Sequence, residues 1–193
     1  DKPAGICGHL GHLAGDEMAQ TSRTASRSLE RDGSERRERA AGEVNLMATQ
    51  DPVPSMEWEI TTACNYQCSY CCQKSYVSKH GQHGSDETVQ DVFALLKTLP
   101  GSWQIKLIGG EPFLHPRFFE MCDTITRLNH RVCTTTNFSL PFEKYAAFVE
   151  IAGERLAYLT ASLHLEQVKS LDEFVEKAIR FQRLKPEAAD FSV

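Results

Sequence analysis

The sequence predicts an α/β fold with a parallel sheet, built from four βα units and the start of a fifth strand. Short segments that are β-branched or alternate between polar and apolar residues are each followed by a longer segment with apolar residues every three or four positions. Strands that alternate with helices of this length indicate βαβ units, and such units pair their strands in parallel.

Turn and capping residues set the limits of each element. Ser85 precedes two acidic residues and an apolar helical stripe, Pro100 and Gly101 end that helix, and Ser170 with Glu173 forms a capping box. The predicted strands and helices alternate along the chain: strand 57–61, helix 85–99, strand 104–108, helix 116–129, strand 131–136, helix 142–151, strand 156–163, helix 170–184 and a strand beginning at 189.

The first 53 residues differ in composition from the rest. Residues 21–41 are rich in Arg, Ser and Glu and contain almost no aromatic or β-branched side chains, so they cannot bury enough apolar surface to offset the entropy of ordering. We predict a disordered leader at 1–53 and a folded domain at 54–193. Because the chain begins with Asp1 and ends as a strand begins, we expect it to be a piece of a longer protein.

Composition and charge exclude several classes of protein. Hydrophobic residues make up 41% of the chain and charged residues 24%, as in an ordinary globular domain. The formal charge of −5 gives no indication of nucleic-acid binding through a basic surface, and no apolar run is long enough to span a membrane.

The cysteines are clustered rather than spread along the chain. Four of the seven fall within nine residues, at 64, 68, 71 and 72. A secreted disulfide-bonded domain would carry a signal peptide and evenly distributed cysteines, and the N-terminus has no apolar segment of that kind. We therefore expect a cytoplasmic protein whose clustered thiols bind metal.

Polar residues follow each predicted strand. The cysteines come after the first strand, Gly109 to Glu111 after the second, Asn137 after the third, and Ser162 with His164 closes the fourth. Because ligands of parallel α/β proteins bind at the carboxyl ends of the strands, we expect these residues to meet at one edge.

The segment from Cys64 to Cys71 has the pattern C-x-x-x-C-x-x-C. Three thiolates in one short loop suit a soft metal, and three cysteines around a four-iron cluster leave one iron open to a further ligand. The alternative is a zinc site completed by His80 or His83. Cys72 follows its neighbour directly and is expected to remain outside the metal site.

This pattern, its place after the first strand and the aromatic Tyr70 before the third cysteine resemble the radical S-adenosylmethionine (radical SAM) superfamily. The resemblance covers residues 57–193 and implies a partial (β/α) barrel, related to the TIM barrel. It also implies a 4Fe-4S cluster held by Cys64, Cys68 and Cys71, and S-adenosylmethionine on the open iron.

Further candidate residues follow from the same resemblance. The sequence Gly109-Gly110-Glu111-Pro112 looks like the family motif that binds the methionyl amino group, with the Glu111 carboxylate facing the ammonium. Tyr70 would lie near the adenine, and Asn137 and Ser162 would contact the ribose and the carboxylate.

The remaining unusual residues have simpler interpretations. Cys7, His9 and His12 fall in the predicted leader and are interpreted as an accidental cluster. Cys122 and Cys133 lie on apolar faces and are predicted core residues. His164 could contact substrate or move a proton, or could be an ordinary buried histidine.

The predicted function is that of an oxidoreductase-type radical SAM enzyme. The resemblance implies reductive cleavage of S-adenosylmethionine to a deoxyadenosyl radical, which abstracts hydrogen from an unidentified substrate. A flavodoxin- or ferredoxin-like one-electron reductant is the implied partner. The alternatives are a zinc-binding module and a truncated chain without catalysis.

Overall fold

The computed structural model describes residues 53–193. The predicted leader, apart from Val53, and the Cys7, His9 and His12 cluster lie outside the described residues, and the domain boundary near residue 53 stays a prediction. The described elements are β1 (Ser55–Thr61), α1 (Asp86–Thr98), β2 (Gln104–Gly109), a 3₁₀ turn (Pro112–Leu114), α2 (Phe118–Arg127), β3 (Arg131–Thr136), α3 (Phe142–Ala152), a second 3₁₀ turn (Gly153–Arg155), β4 (Leu156–Ala161), α4 (Leu171–Leu184) and β5 (Asp190–Ser192).

The five strands form one parallel sheet in the order β1-β2-β3-β4-β5. Each strand pairs with its neighbour in the chain, so every crossover moves one position in the same direction, as in a (β/α) barrel. The α/β fold class and the four βα units are confirmed. At the carboxyl edge Thr61 pairs with Gly109 and Thr136 pairs with Ala161, which brings the strand ends level.

The two faces of the sheet differ in polarity, because side chains alternate along each strand. Ile60, Leu107 and Leu159 belong to the buried core, which the helices cover. On the other face, Lys106 bonds Glu57 across β1 and β2 at 2.9 Å. Cys122 and Cys133 are fully buried, which confirms their interpretation as core residues.

The helix caps agree with the sequence. The Ser85 hydroxyl accepts a hydrogen bond from the Thr88 N–H at 3.1 Å, and the Ser170 hydroxyl accepts one from the Glu173 N–H at 3.2 Å. These bonds satisfy N–H groups that have no partner within α1 and α4. No helix within residues 53–193 is both long and apolar enough to cross a membrane.

Several boundaries differ from the prediction by one or two residues, and two of them affect the site. Helix α2 begins at Phe118 rather than Pro116, because the preceding residues form a 3₁₀ turn whose N-terminal N–H bonds the Glu111 carboxylate. Strand β4 ends at Ala161 rather than Leu163; Ser162 still bonds the Thr136 carbonyl, and His164 beyond it contacts Cys68.

Candidate functional site

A cavity of about 700 Å³ opens at the carboxyl edge of the sheet. Its volume is in the range of small-molecule and cofactor sites. The predicted residues that the structure brings together on its wall are Cys64, Cys68, Tyr70, Cys71, Gly109, Gly110, Asn137, Ser162 and His164. The polar groups that follow the first four strands do meet at one edge, as expected.

The cysteines of the motif differ in exposure. Cys64 and Cys68 are buried, Cys71 is half-buried, and Cys72 is exposed although it also lies on the cavity wall. Burial raises the pKa of the Cys64 and Cys68 thiols. Each thiol must therefore release a proton when it becomes a metal ligand.

The cysteine loop, residues 64–77, is closed by the segment that follows it. The Cys64 N–H donates to the Ser78 carbonyl at 2.9 Å, and the Ser78 N–H donates to the Thr62 carbonyl at 3.1 Å. A little further on, the Gly84 N–H donates to the Ile60 carbonyl at 2.9 Å. The returning segment thus runs along the end of β1 and holds the base of the loop in place.

Gly109 and Gly110 lie against the backbone at the end of β1. A Cβ on Gly109 would stand 2.0 Å from the Thr61 carbonyl oxygen, and one on Gly110 would stand 2.3 Å from the Ala63 carbonyl oxygen. Gly109 also has a φ of 137°, which side chains rarely adopt. The two glycines are required by the packing of β2 against the segment that carries Cys64, in addition to any approach of a ligand.

The Glu111 carboxylate lies beneath the cavity and is 0% exposed. It accepts hydrogen bonds from the Thr136 hydroxyl at 2.8 Å, the Asn137 N–H at 2.7 Å and the Phe113 N–H at 3.2 Å. Burial raises its pKa to about 7 although these three bonds act in the opposite direction. Glu111 is not on the cavity wall, so this placement does not support its predicted direct contact with the ammonium group.

Asn137 is directed toward the cysteine loop by a sharp turn. The next residue, Phe138, has a φ of 55°, an unusual value for a buried aromatic residue. The Asn137 amide donates to the Asn65 side-chain oxygen at 2.9 Å and approaches the Cys64 sulfur at 3.9 Å. Asn137 therefore connects the end of β3 to the first cysteine.

The loop between β4 and α4, residues 162–170, contacts the middle of the cysteine loop. His164 Nδ1 lies 3.4 Å from the Cys68 sulfur and 2.9 Å from the Tyr70 hydroxyl. The Ser69 N–H donates to the Glu166 carboxylate at 2.8 Å, and hydrogen bonding by the Ser69 hydroxyl and by this N–H lowers the pKa of Glu166. Burial lowers the pKa of His164.

The two histidines of the zinc alternative lie away from the thiols. His80 is exposed, and His83 Nδ1 pairs with the Thr61 hydroxyl at 2.8 Å while its ring packs against His115. Neither is on the cavity wall. Within residues 53–193, no three His, Cys, Asp or Glu side chains are gathered around a single point as ligands of one ion. A cluster distributes its cysteines over different irons, so its thiols need not converge in this way.

Sequence reasoning missed several residues of the site. Asn65 and Tyr66 lie inside the cysteine motif, Thr136 stands beside the predicted Asn137, and Glu166 follows His164. Their only signal in the sequence is proximity to a predicted site residue. Their contacts join positions 25 to 98 residues apart, the longest being Tyr66 with His164, and no local pattern indicates them.

The family model of the Radical SAM superfamily matches residues 58–187, more than half of the chain. The chain belongs to the radical SAM superfamily. This superfamily uses a 4Fe-4S cluster and S-adenosylmethionine (AdoMet), and its members are enzymes. The family assignment and the cofactors expected for it are confirmed.

Similar curated proteins are GTP 3′,8-cyclases. The chain is 29% identical over 133 residues to the probable GTP 3′,8-cyclase of Methanothermobacter thermautotrophicus, covering 62% of this chain and 43% of that protein. It is 33% identical over 82 residues to the GTP 3′,8-cyclase of Vibrio cholerae, covering 40% of this chain and 25% of that protein. The chain thus spans less than half the length of these relatives.

Solved structures share the fold. BtrN in complex with AdoMet and 2-DOIA aligns with a TM-score of 0.57 at 16% identity, covering 72% of this chain and 56% of BtrN. Native anSMEcpe with bound AdoMet aligns with a TM-score of 0.52 at 17% identity, covering 72% of this chain and 43% of anSMEcpe. At these identities the likeness establishes the parallel partial barrel.

The residues present are compatible with the superfamily cofactors. Thiolates are the ligands of iron–sulfur clusters, and Cys64, Cys68 and Cys71 stand on one wall of the cavity. The same cavity has backbone at Gly109 and Gly110 and polar side chains at Asn137 and Ser162. These groups can hydrogen-bond a polar cofactor beside the thiols.

Proposed function

We propose that this chain forms the cofactor-binding part of a radical SAM enzyme that cleaves AdoMet reductively and uses the product to abstract hydrogen from a substrate. The observation that carries the proposal is the single cavity into which the three motif cysteines and the polar ends of four parallel strands converge. When bound, the cluster and AdoMet supply one electron and a deoxyadenosyl radical.

We assign Cys64, Cys68 and Cys71 as the cluster ligands. Burial of the first two removes them from water, which protects thiolates and iron from solvent and oxidants. We do not assign Cys72, which is exposed, because it directly follows Cys71 and successive side chains diverge. The three assigned thiols release protons when they bind iron, so higher pH favours binding of the cluster.

AdoMet would occupy the remaining cavity. Gly109 and Gly110 present backbone there, and Asn137 and Ser162 present an amide and a hydroxyl, the groups we propose for recognition of its polar parts. Tyr70 stands at the rim, 58% exposed, where its ring can cover an aromatic base. We propose that buried Glu111 acts indirectly, by holding the ends of β2 and β3 together under the site.

GTP is the first substrate to assay, because the similar curated proteins are GTP 3′,8-cyclases. A flavodoxin- or ferredoxin-like reductant and a cytoplasmic location stay predictions. The substrate-determining residues of such an enzyme can also lie in the part of the relatives that this chain does not match.

Iron content of single cysteine variants tests the proposal. The full chain is reconstituted anaerobically with iron and sulfide. Bound iron is then quantified, and the visible absorption spectrum of the cluster is recorded. Cys64→Ala, Cys68→Ala and Cys71→Ala should each lose nearly all of the cluster, since three ligands hold it as a unit. Cys72→Ala, the matched control one position away, should keep the wild-type iron content.

Two results would contradict this assignment. Loss of iron in Cys72→Ala alone would show that the motif register is wrong. Stoichiometric zinc in place of iron, retained after anaerobic reconstitution, would favour a zinc-binding module.

A further inference from the structure

The three assigned cysteines have unequal surroundings. Cys64 has the Asn137 amide at 3.9 Å, a long contact even for sulfur. Cys68 has His164 Nδ1 at 3.4 Å, and the Tyr70 hydroxyl, 2.9 Å from the same nitrogen, is close enough to the thiol to lower its pKa against the effect of burial. Of the three sulfurs, that of Cys68 has the closest side-chain partners.

The His164 ring is held on two sides. It stacks on Tyr70 with ring centroids 5.9 Å apart and meets Tyr66 edge to face at 5.8 Å. Both tyrosines belong to the cysteine loop, whereas His164 follows β4. The ring is therefore fixed in orientation by the same loop whose central cysteine it contacts.

The approach of His164 is supported by the backbone of its own loop. The Ser162 N–H donates to the Thr136 carbonyl at 2.8 Å, which extends the sheet to the start of this loop. The Gln167 and Val168 N–H groups both donate to the His164 carbonyl at 2.9 Å. This turn presents the side chain to the cavity wall.

We propose that His164 is a positioning residue for the cluster: its Nδ1–H donates a hydrogen bond to the Cys68 sulfur and, with the Tyr70 hydroxyl, makes the bound cluster easier to reduce. This inference rests on the proposed function, since it requires Cys68 to be a cluster ligand.

The direction of the effect follows from charge. A cysteine that ligates iron has no proton, so in the hydrogen bond to His164 the proton must be on Nδ1; the Tyr70 hydroxyl then cannot donate to that nitrogen and directs its own proton to the sulfur. Reduction adds negative charge to the cluster and its sulfurs, and a donor to a sulfur stabilises that charge. Hydrogen bonds to the sulfurs are among the factors that set the potentials of such clusters. Removing a donor should therefore make the reduction potential more negative.

Four variants of the full chain test this inference after anaerobic reconstitution. His164→Leu removes the donor at similar volume, His164→Asn restores an N–H near the position of Nδ1, and Tyr70→Phe removes only a hydroxyl. His80→Ala is the control, an exposed histidine that is not on the cavity wall. Iron content and the midpoint potential, followed by electron paramagnetic resonance during a reductive titration, are the two readouts.

We expect His164→Leu and Tyr70→Phe to keep wild-type iron content and to shift the midpoint potential to more negative values. His164→Asn should return it toward the wild-type value, and His80→Ala should leave it unchanged. If His164→Leu does not bind the cluster, two other results support the inference. They are a more negative midpoint potential in Tyr70→Phe, whose residue is exposed, and a wild-type midpoint potential in His164→Asn.

An unchanged potential in loaded His164→Leu, or in Tyr70→Phe when the leucine variant loses iron, would overturn the inference. Iron loss in both His164 variants would also overturn it, because it would assign the histidine a purely structural role. Failure of the wild-type chain to bind iron through the three cysteines would instead refute the proposed function, and this inference with it.

Discussion

The floor of the cavity and the cysteine loop are held by different kinds of contact. The floor, formed by Gly109–Glu111 with Thr136 and Asn137, is backbone packed on backbone around a carboxylate that is buried and fully hydrogen-bonded. The cysteine loop has exposed residues such as Tyr70 and Cys72, and its middle is held by side chains from another loop.

This difference shows which part of the site the fold builds unaided. The floor belongs to the sheet edge, where strand pairing and core packing already determine every position. The base of the cysteine loop is held near the sheet edge, by the bond of Cys64 to Ser78 and the bond of Asn65 to Asn137, whereas its middle contacts the loop that follows β4. We expect the floor to be present before any cofactor binds, and the loop to be ordered further by the cluster it is proposed to hold.

The largest effect is expected at Gly110. Gly110→Ala would place a Cβ 2.3 Å from the Ala63 carbonyl oxygen, so the segment carrying Cys64 must move. Overpacking of this kind costs about 3 kcal/mol of the free energy of unfolding. Urea unfolding of the metal-free chain measures it.

Gly84→Ala is the matched control for this substitution. Its Cβ would meet its nearest neighbour, the Ile60 carbonyl oxygen, at an ordinary 3.6 Å. We expect a change within about 1 kcal/mol, since the loss of chain entropy in the unfolded state favours alanine. Equal urea midpoints for Gly110→Ala and Gly84→Ala would show that Gly110 does not approach Ala63 this closely in solution.

A smaller effect is expected from titration of Glu111. Burial raises the pKa of this carboxyl from 4.5 to about 7, so the folded chain binds its proton more tightly than the unfolded chain does. The free energy of unfolding should therefore fall as pH rises from 4.5 to 7, and we expect this fall to be smaller than the change caused by Gly110→Ala. Glu111→Gln should remove that part of the pH dependence.

Glu120→Gln provides the control for the pH series. Hydrogen bonding to Arg117 lowers the pKa of Glu120, so this group titrates below the window in which Glu111 titrates. Above about pH 5.5, the free energy of unfolding of Glu120→Gln, measured with urea, should change with pH as steeply as that of the wild type. If Glu111→Gln keeps the wild-type pH dependence of the free energy of unfolding, the Glu111 carboxylate is ionised throughout pH 4.5 to 7.

The smallest effect is expected at Glu166. Glu166→Ala removes the acceptor of the Ser69 N–H, a bond at the protein surface. We expect no resolved change in the urea midpoint, but faster hydrogen exchange at the Ser69 amide within the cysteine loop. Glu176→Ala, an exposed carboxylate on α4, should leave that exchange rate unchanged. Equal exchange in both variants would show that Glu166 does not hold the loop.

Much of the fold and of the motif could be predicted because both depend on short-range patterns. The period of apolar residues identified the strands and helices, and Ser85 and Ser170 marked helix starts through bonds to residues three positions away. The spacing of Cys64, Cys68 and Cys71 was likewise readable, since ligands in one loop must be close in sequence to bind together. The order of the strands then placed their polar ends on one edge.

The tertiary structure alone decided what those polar residues contact. In the sequence Glu111 is a carboxylate after two glycines; in the fold its oxygens meet Thr136 and Asn137, which are 25 and 26 residues away, and it is closed off from the cavity. His164 reaches Cys68 across 96 residues. Side-chain partners of this kind depend on how loops from different βα units pack at the sheet edge, and hydrophobic period and local spacing carry no information about that packing.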